Sequence, residues 1–411
     1  MNLLPILQAL RFNNRDTAAL EAIPRSAWPE LLRATDREGL TLPLGLRCRG
    51  LLPAMVEARI AHSLASNAER HSRLTASYAE LACVLQARGV EFVTLKGLSK
   101  TRYYSDDLRY RPQYDIDIYC PEPCLDGARE AIEGLGYETM REALYSETDH
   151  LPRMIRKTGW KWREDYFDPD MPTAVEVHFQ FWNARLEGFS AGDLGTFWNR
   201  RIVRAVADLQ LPSLREVDAL SYSALHLLRH LLHGSLQFQH IYEMAHFLHR
   251  SAADDAFWGE WEEFGVASCR ILEAIVFRMA AEWFHCSLHP AAGRAVGQLP
   301  NPVQRWFRLF ATSPAITAGH PAKNELLLHL CLVPDARDRR RIVMRRLFPA
   351  RCRRAVLYAN VPRAGMSAVM RLRGVFYEVV FMLKRLAWHV RSLASVLWSG
   401  FRWWRARPWL S

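Results

Sequence analysis

The chain has 411 residues, half of them hydrophobic and 24% charged, with a formal net charge of +11. That composition excludes an intrinsically disordered chain, and the length points to two or three structural units rather than one core. The charge is uneven: from Arg337 onward 18 Lys/Arg face 2 Asp/Glu, whereas residues 1–336 carry 36 against 41, so the basicity belongs to a tail and not to the body.

The opening MNLLPILQALRFNNRD has no basic n-region and no long apolar run, so no secretory signal is expected. No window offers ~18 uninterrupted apolar residues, which predicts no transmembrane helix. Eight cysteines are scattered, and only Cys120 and Cys124 are close, in CPEPC. No second Cys/His pair accompanies them, so they read as reduced structural thiols in a cytoplasmic protein.

Residues 1–85 form an N-terminal helical region. From Pro53 to Gln86 the apolar positions Met55, Ile60, Leu64, Leu74, Tyr78, Leu81 and Leu85 are separated by polar faces, and Gly89 closes the run. The pattern changes in 86–200, which reads as a small α/β core. VEFVTL (90–95) predicts a strand that meets a turn at Lys96-Gly97, and LSKTRYY predicts a helix. YDIDIY (114–119) alternates strictly, a helix follows from about Leu125 to Leu135, and TAVEVHFQFW (173–182) alternates again. Helices return in 201–336, first in LREVDALSYSALHLLRHLLHG up to Gly234, then in HIYEMAHFLHR, then over 255–287, 302–312 and 323–333. Residues 337–411 are a basic, aromatic-rich helical tail. The fold class expected is α+β: a small mixed β-sheet flanked by N-terminal and C-terminal helical regions.

Period-two geometry in YDIDIY puts Asp115, Asp117 and Tyr119 on one face and Tyr114, Ile116 and Ile118 on the other. Two carboxylates sharing a face suit divalent cations better than core packing, since buried carboxylates need partners. A pair of Mg²⁺ ions ~3.5–4 Å apart can clamp the attacking and leaving oxygens of an in-line phosphoryl displacement. In AVEVHFQ the same alternation aligns Glu176, His178 and Gln180, so a neighbouring strand would add a third carboxylate. A strand ending in Lys96-Gly97 aims an ammonium and backbone N–H groups at one spot, a natural phosphate seat. Arg111, four residues before Asp115, is suited either to a triphosphate or to pairing with a carboxylate.

With those residues in hand, the chain resembles the uncharacterised nucleotidyltransferase family of the DNA polymerase beta-like superfamily. The resemblance runs through Leu95–Gly97, Arg111–Ile118 and Glu176–His178, and continues more weakly through LLRHLLHG, HIYEMAHFL and RRLFPA (345–350). It implies that Asp115, Asp117 and Glu176 bind two Mg²⁺ ions, or Mn²⁺, and carry catalysis. Lys96, Gly97, Ser99, Arg111 and His178 would contact a nucleoside triphosphate such as ATP. A nucleoside monophosphate would pass to a hydroxyl acceptor (a small molecule, sugar, peptide or protein) with release of pyrophosphate. Where the superfamily usually carries Gly-Ser or Gly-Gly, this chain has Lys96-Gly97, and Glu243 stands where the family tends to show Asp. A catalytically inactive binding or regulatory protein of the same fold is the alternative.

Two features lie outside that constellation. His226, His230 and His233 share one helix face at i, i+4 and i+7, a spacing open to a transition metal but better read as a polar seam between helices beside the acceptor pocket. In the tail, apolar and aromatic residues surround a narrow polar stripe at Glu378, Arg385, His389 and Ser392. That pattern suits a helix packed on the bundle, a peripheral membrane surface or acidic partner, or nucleic acid.

Overall fold

The computed structural model describes residues 3–100, 103–105, 107–140, 149–206, 209–312, 323–347 and 367–406. Its centre is a seven-stranded sheet in the order β3-β4-β5-β2-β1-β7-β6. The strands are β1 (Val93–Thr94), β2 (Asp115–Tyr119), β3 (Tyr137–Thr139), β4 (Met154–Arg156), β5 (Ala174–His178), β6 (Ile202–Val206) and β7 (Leu209–Ser213). β2 and β5 are parallel neighbours at the centre, β1 runs antiparallel to β2, and β7 is parallel to β1. The mixed sheet flanked by helices is the α+β class the pattern predicts.

The main helices are α1 (Leu4–Ala9), α2 (Trp28–Arg37), α3 (Thr41–Arg47), α4 (Ala54–Ala87), α5 (Leu125–Gly134), α6 (Glu216–His233), α7 (Phe238–Arg250), α8 (Asp255–Phe264), α9 (Arg270–Phe284), α10 (Asn301–Phe310), α11 (Asn324–Leu332), α12 (Ala336–Leu347) and α13 (Ala368–Arg405). Gly234, with φ +66°, caps α6 in the left-handed conformation its position suggested. None of the helices described is long and apolar enough to cross a membrane.

The alternation in the two central strands decides which layer each face meets. Ile116, Ile118, Val175 and Val177 pack with Leu74, Tyr78, Leu81 and Leu85 of α4 and Ala128 and Ile132 of α5 in one core. The opposite face turns its carboxylates toward α6 and α7, whose apolar sides join the larger core of the helical half. Fully burying an aliphatic side chain is worth about 1.5–3 kcal/mol, so the four central-strand aliphatics fix which face is dry. The acidic residues then have no choice of side.

Three sequence expectations change. In the described part of LSKTRYY no helix forms: a 3₁₀ turn, Gly97–Ser99, leads into extended backbone at Lys100, and Thr101 and Arg102 lie outside the described residues. The strand expected over 90–95 is two paired residues. The sheet also runs past residue 200, because the hairpin β6–β7 adds to β1 through Thr94 and Ser213.

The helical core buries one carboxyl far from the sheet's acidic face. Glu273 of α9 is 1% exposed and accepts hydrogen bonds from Ser221 Oγ and, at 3.0 Å, from Trp261 Nε1. Burial pushes its pKa up to about 7 against the partial relief of those bonds. A carboxyl whose folded value lies above its unfolded one favours folding below the unfolded value and loses that contribution as pH rises through the folded one. Glu273→Gln should therefore raise the melting temperature by a few degrees at pH 8.5 and leave it little changed at pH 5. Thermal melts of both proteins across pH 5–9 check this.

Candidate active site

Asp117 and Glu176 are direct cross-strand partners in the parallel β2–β5 pair, with Asp115 opposite Ala174 and Tyr119 opposite His178. Residues paired this way share a face, so the two carboxylates meet as the sequence alternation predicted. Asp117 is 2% exposed, Glu176 7% and His178 0%. Ligand atoms of these three residues lie within 4.8 Å of one another. Asp115, one turn of the pleat away, is half-buried and joins the group through Arg153, whose guanidinium is bonded to Glu176 and lies 3.7 Å from Asp115 Oδ2.

Two cations face the acids from other elements. Lys96, at the end of β1, donates from Nζ to Asp117 Oδ1 at 2.8 Å and to His226 Nε2 of α6 at 3.1 Å. Arg153, at the start of β4, donates from Nε to Glu176 Oε1 at 2.6 Å. Burial disfavours every carboxylate here, yet the outcomes differ with the partner. Asp117 is held well below the usual carboxylate range because Lys96 and His178 outweigh its burial. Glu176 is lowered because Arg153 outweighs its own. Asp115 goes the other way, up to about 6, through burial and then the charges of Asp117 and Glu176. One poised carboxyl beside two ionised ones is the pattern that like charges in a confined site produce.

Asp115, Asp117, Glu176, Lys96, Gly97 and Arg111 all line one cavity of about 760 Å³ between the sheet and α6–α7. Ser99 and His178 are not among its lining residues. Ser99 is buried, with Oγ donating to the Lys96 carbonyl at 3.2 Å. His178 lies beneath Asp117, with Nε2 3.1 Å from Asp117 Oδ1 and Nδ1 3.5 Å from Asp149 Oδ2. Burial disfavours the imidazolium, but these two carboxylates raise its pKa, and its ring nitrogen lies within 4.8 Å of ligand atoms of Asp117 and Glu176. Arg111 is committed to the protein: its Nε lies 2.8 Å from Glu243 Oε1, and Nη1 donates to Gln113 Oε1 at 3.2 Å. Glu243 also binds Lys100, which defines the role of this helix position.

Gly97 has φ +69°, and a Cβ there would meet Gln113 Nε2 at 2.1 Å. Gln113 Nε2 in turn donates to the Asp115 carbonyl at 2.7 Å. The glycine is thus required for the loop before β2 to close under the turn, whatever it also offers a phosphate.

Sequence reasoning missed Asp149, His150, Arg153 and Arg229, all of which line the same cavity. Arg229 bonds Asp149, completing a chain from Asp117 through His178 and Asp149 to α6. The signal available was slight. β4 is three residues long and carries no periodicity, although Asp149, His150 and Arg153 cluster just before it.

The three helix histidines do not converge on one ion. His226 and His230 meet Nε2 to Nε2 at 3.1 Å, whereas His233 turns to Glu187 at 3.0 Å. Burial holds His226 and His230 well below the usual imidazole range, the latter at about 3, so both are neutral at pH 7. Among the described residues this geometry suits a polar seam. The basic tail also reaches the site: Arg345 and Arg346 of α12 line the cavity, donating to the carbonyls of Leu186 and His233.

The family model described as an uncharacterised nucleotidyltransferase matches residues 24–285, and the chain belongs to that family. No curated protein and no solved structure matches it.

Removing one partner of a buried ion pair leaves the other charge uncompensated, at a cost of about 3–5 kcal/mol. Asp149 has a side chain 5% exposed and Arg229 one 17% exposed. Arg229→Met should therefore destabilise the protein on that order, and Arg229→Met with Asp149→Leu should recover only part of the loss, because His178 then loses its Asp149 partner. Urea melts of the single and double variants measure both.

Proposed function

We propose that the protein is a divalent-metal-dependent nucleotidyltransferase that moves a nucleoside monophosphate from a triphosphate to a hydroxyl acceptor, releasing pyrophosphate. The observation that carries this is the in-register pairing of Asp117 with Glu176 on the cavity face, with Asp115 beside them. A mixed sheet with an Asp-x-Asp strand also supports a place in the DNA polymerase beta-like superfamily.

The donor set fits Mg²⁺ or Mn²⁺: three carboxylates facing one cavity give the hard oxygen ligands these ions prefer. Asp115, Asp117 and Glu176 would hold the ions, which supply charge neutralisation on the phosphates and acidify the acceptor hydroxyl. In the transfer, the acceptor oxygen forms a bond to the α-phosphorus as the α–β bridging P–O bond breaks. The hydroxyl proton leaves toward the carboxylate side of the cavity.

The protein's own groups prepare that step. Lys96 and Arg153 keep Asp117 and Glu176 ionised, so the carboxylates are ready as ligands at neutral pH. His178, gripped by Asp117 and Asp149, fixes the orientation of Asp117 from below. The neutral His226–His230 pair and Arg345 and Arg346 form the far wall, where the acceptor and the outer phosphates would lie.

A second reading has one observation in its favour. Lys96 and Arg153 already compensate the acids, as a nucleotide-binding protein without catalysis would require. Incubation with labelled triphosphates, Mg²⁺ and candidate acceptors separates the two readings. Label transfer that falls on the order of 10²–10³-fold in Asp117→Asn and Glu176→Gln supports the enzyme. Mg²⁺-dependent thermal stabilisation by triphosphate with no transfer to any acceptor supports the binding protein.

Asp115 adds a pH signature. Its carboxylate must be ionised to ligate a cation, and its pKa is pushed up to about 6. Protons therefore compete with the ion, and apparent Mn²⁺ affinity should fall about tenfold per pH unit below 6 while staying flat above it. Calorimetric titrations from pH 5 to 8 read this, and Asp115→Asn should flatten the dependence.

A further inference from the structure

Helix α13 is 38 residues long, and among its described side chains few are buried. Ser392 and Trp403 are buried, Trp403 lying under the Arg305 guanidinium at 3.8 Å, and Lys323 Nζ reaches His389 Nδ1 at 2.8 Å. Among the described residues, His389, Ser392 and Trp403 thus mark the side of the helix that faces α10 and its neighbours. Its apolar residues point out: Leu372, Phe376, Leu383, Val390, Leu397 and Trp404 are each 57–73% exposed. An amphipathic helix that packs on its own body normally shows the reverse.

At ~100° per residue, the exposed apolar side chains from Met382 round to Trp398 span on the order of 160° of arc. Arg373, Lys384, Arg391, Arg402 and Arg405, all exposed, form a ridge along one border of that arc. Such a border is where headgroups meet a helix lying at a bilayer surface, with Lys and Arg stems covering apolar surface and their charges reaching outward. Trp398 and Trp404 are 62% and 57% exposed on the same side, the indole placement that suits the membrane–water boundary.

We infer that α13 is a membrane-surface helix that lays its outward apolar face into a bilayer rich in anionic lipid. The competing occupant is a second copy of the chain. The face's alternating spacing of three and four is also what a two-helix seam uses, but the apolar arc here is wider than such a seam. A basic ridge beside it complements anionic headgroups and would repel its own image. This inference does not rest on the proposed chemistry.

Sedimentation of the full-length protein with vesicles of phosphatidylcholine, alone or with about one-third phosphatidylserine, tests it. Binding to the anionic vesicles and little to the neutral ones is expected. Lys384→Gln with Arg391→Gln and Arg402→Gln should weaken binding on the order of tenfold or more, since each charge near the surface contributes about fivefold. Leu383→Ser with Leu393→Ser should abolish binding without lowering the melting temperature, because both side chains are exposed. Absence of binding by the unaltered protein overturns the inference, as does binding indifferent to both variants. Sedimentation equilibrium showing a dimer that the serine variant dissociates, with no vesicle binding, assigns the face to a second copy instead.

Discussion

The parallel pairing of β2 with β5 places two carboxylates side by side on a face that the helical half then covers. Neither acid can be buried with its charge alone, because the desolvation penalty of a lone ion is several kcal/mol. Everything around the pair answers that demand. Lys96 arrives from β1, Arg153 from β4, and His178 from two residues further along β5 itself. The demand then propagates outward: His178 bridges Asp117 to Asp149, and Asp149 pairs with Arg229 on α6. The acidic face is what joins sheet to helices, and the site and the joint are the same set of side chains.

That propagation explains which parts were legible in the sequence. The strands of the carboxylates were readable because a strict period of two leaves no doubt about faces, and Asp115, Asp117 and Glu176 followed from it. Their neighbours were not, because partner choice across a sheet depends on strand order. The order puts β4 beside β5 and β1 beside β2, and neither neighbour has more than three residues of strand. A strand so short carries no periodic signal. Lys96 is legible through its turn, but its pairing with Asp117 depends on the strand order. Ser99 and Arg111 show the same dependence: proximity in sequence to the motif does not reveal that Ser99 bonds the Lys96 carbonyl, or that Arg111, while lining the cavity, pairs with Glu243.

The tail was divided in a way composition could not show. Its charge was readable, and its distance in sequence from the carboxylates suggested a separate role. The first part, α12, folds back onto the C-terminal end of α6, where Arg346 donates to the His233 carbonyl beside Gly234. A helix C-terminus gathers partial negative charge on its last carbonyls, and arginine is a natural complement to it. One helix of the basic tail therefore builds the wall of the cavity, and α13 presents its own basic ridge to the outside.

Charge balance across the joint sets what the cavity can admit. Lys96, Lys100, Arg111, Arg153 and Arg229 stand among Asp115, Asp117, Asp149, Glu176 and Glu243, five cations to five carboxylates. A free triphosphate would upset that parity and face ionised carboxylates at short range. A triphosphate arriving with divalent cations brings its own compensation, and the carboxylates then become the attractive element. Lys100 shows how tightly the balance is drawn: burial pulls its pKa down to about 8 even with Glu243 in contact. A network set this close to neutrality responds to the net charge of whatever enters the cavity.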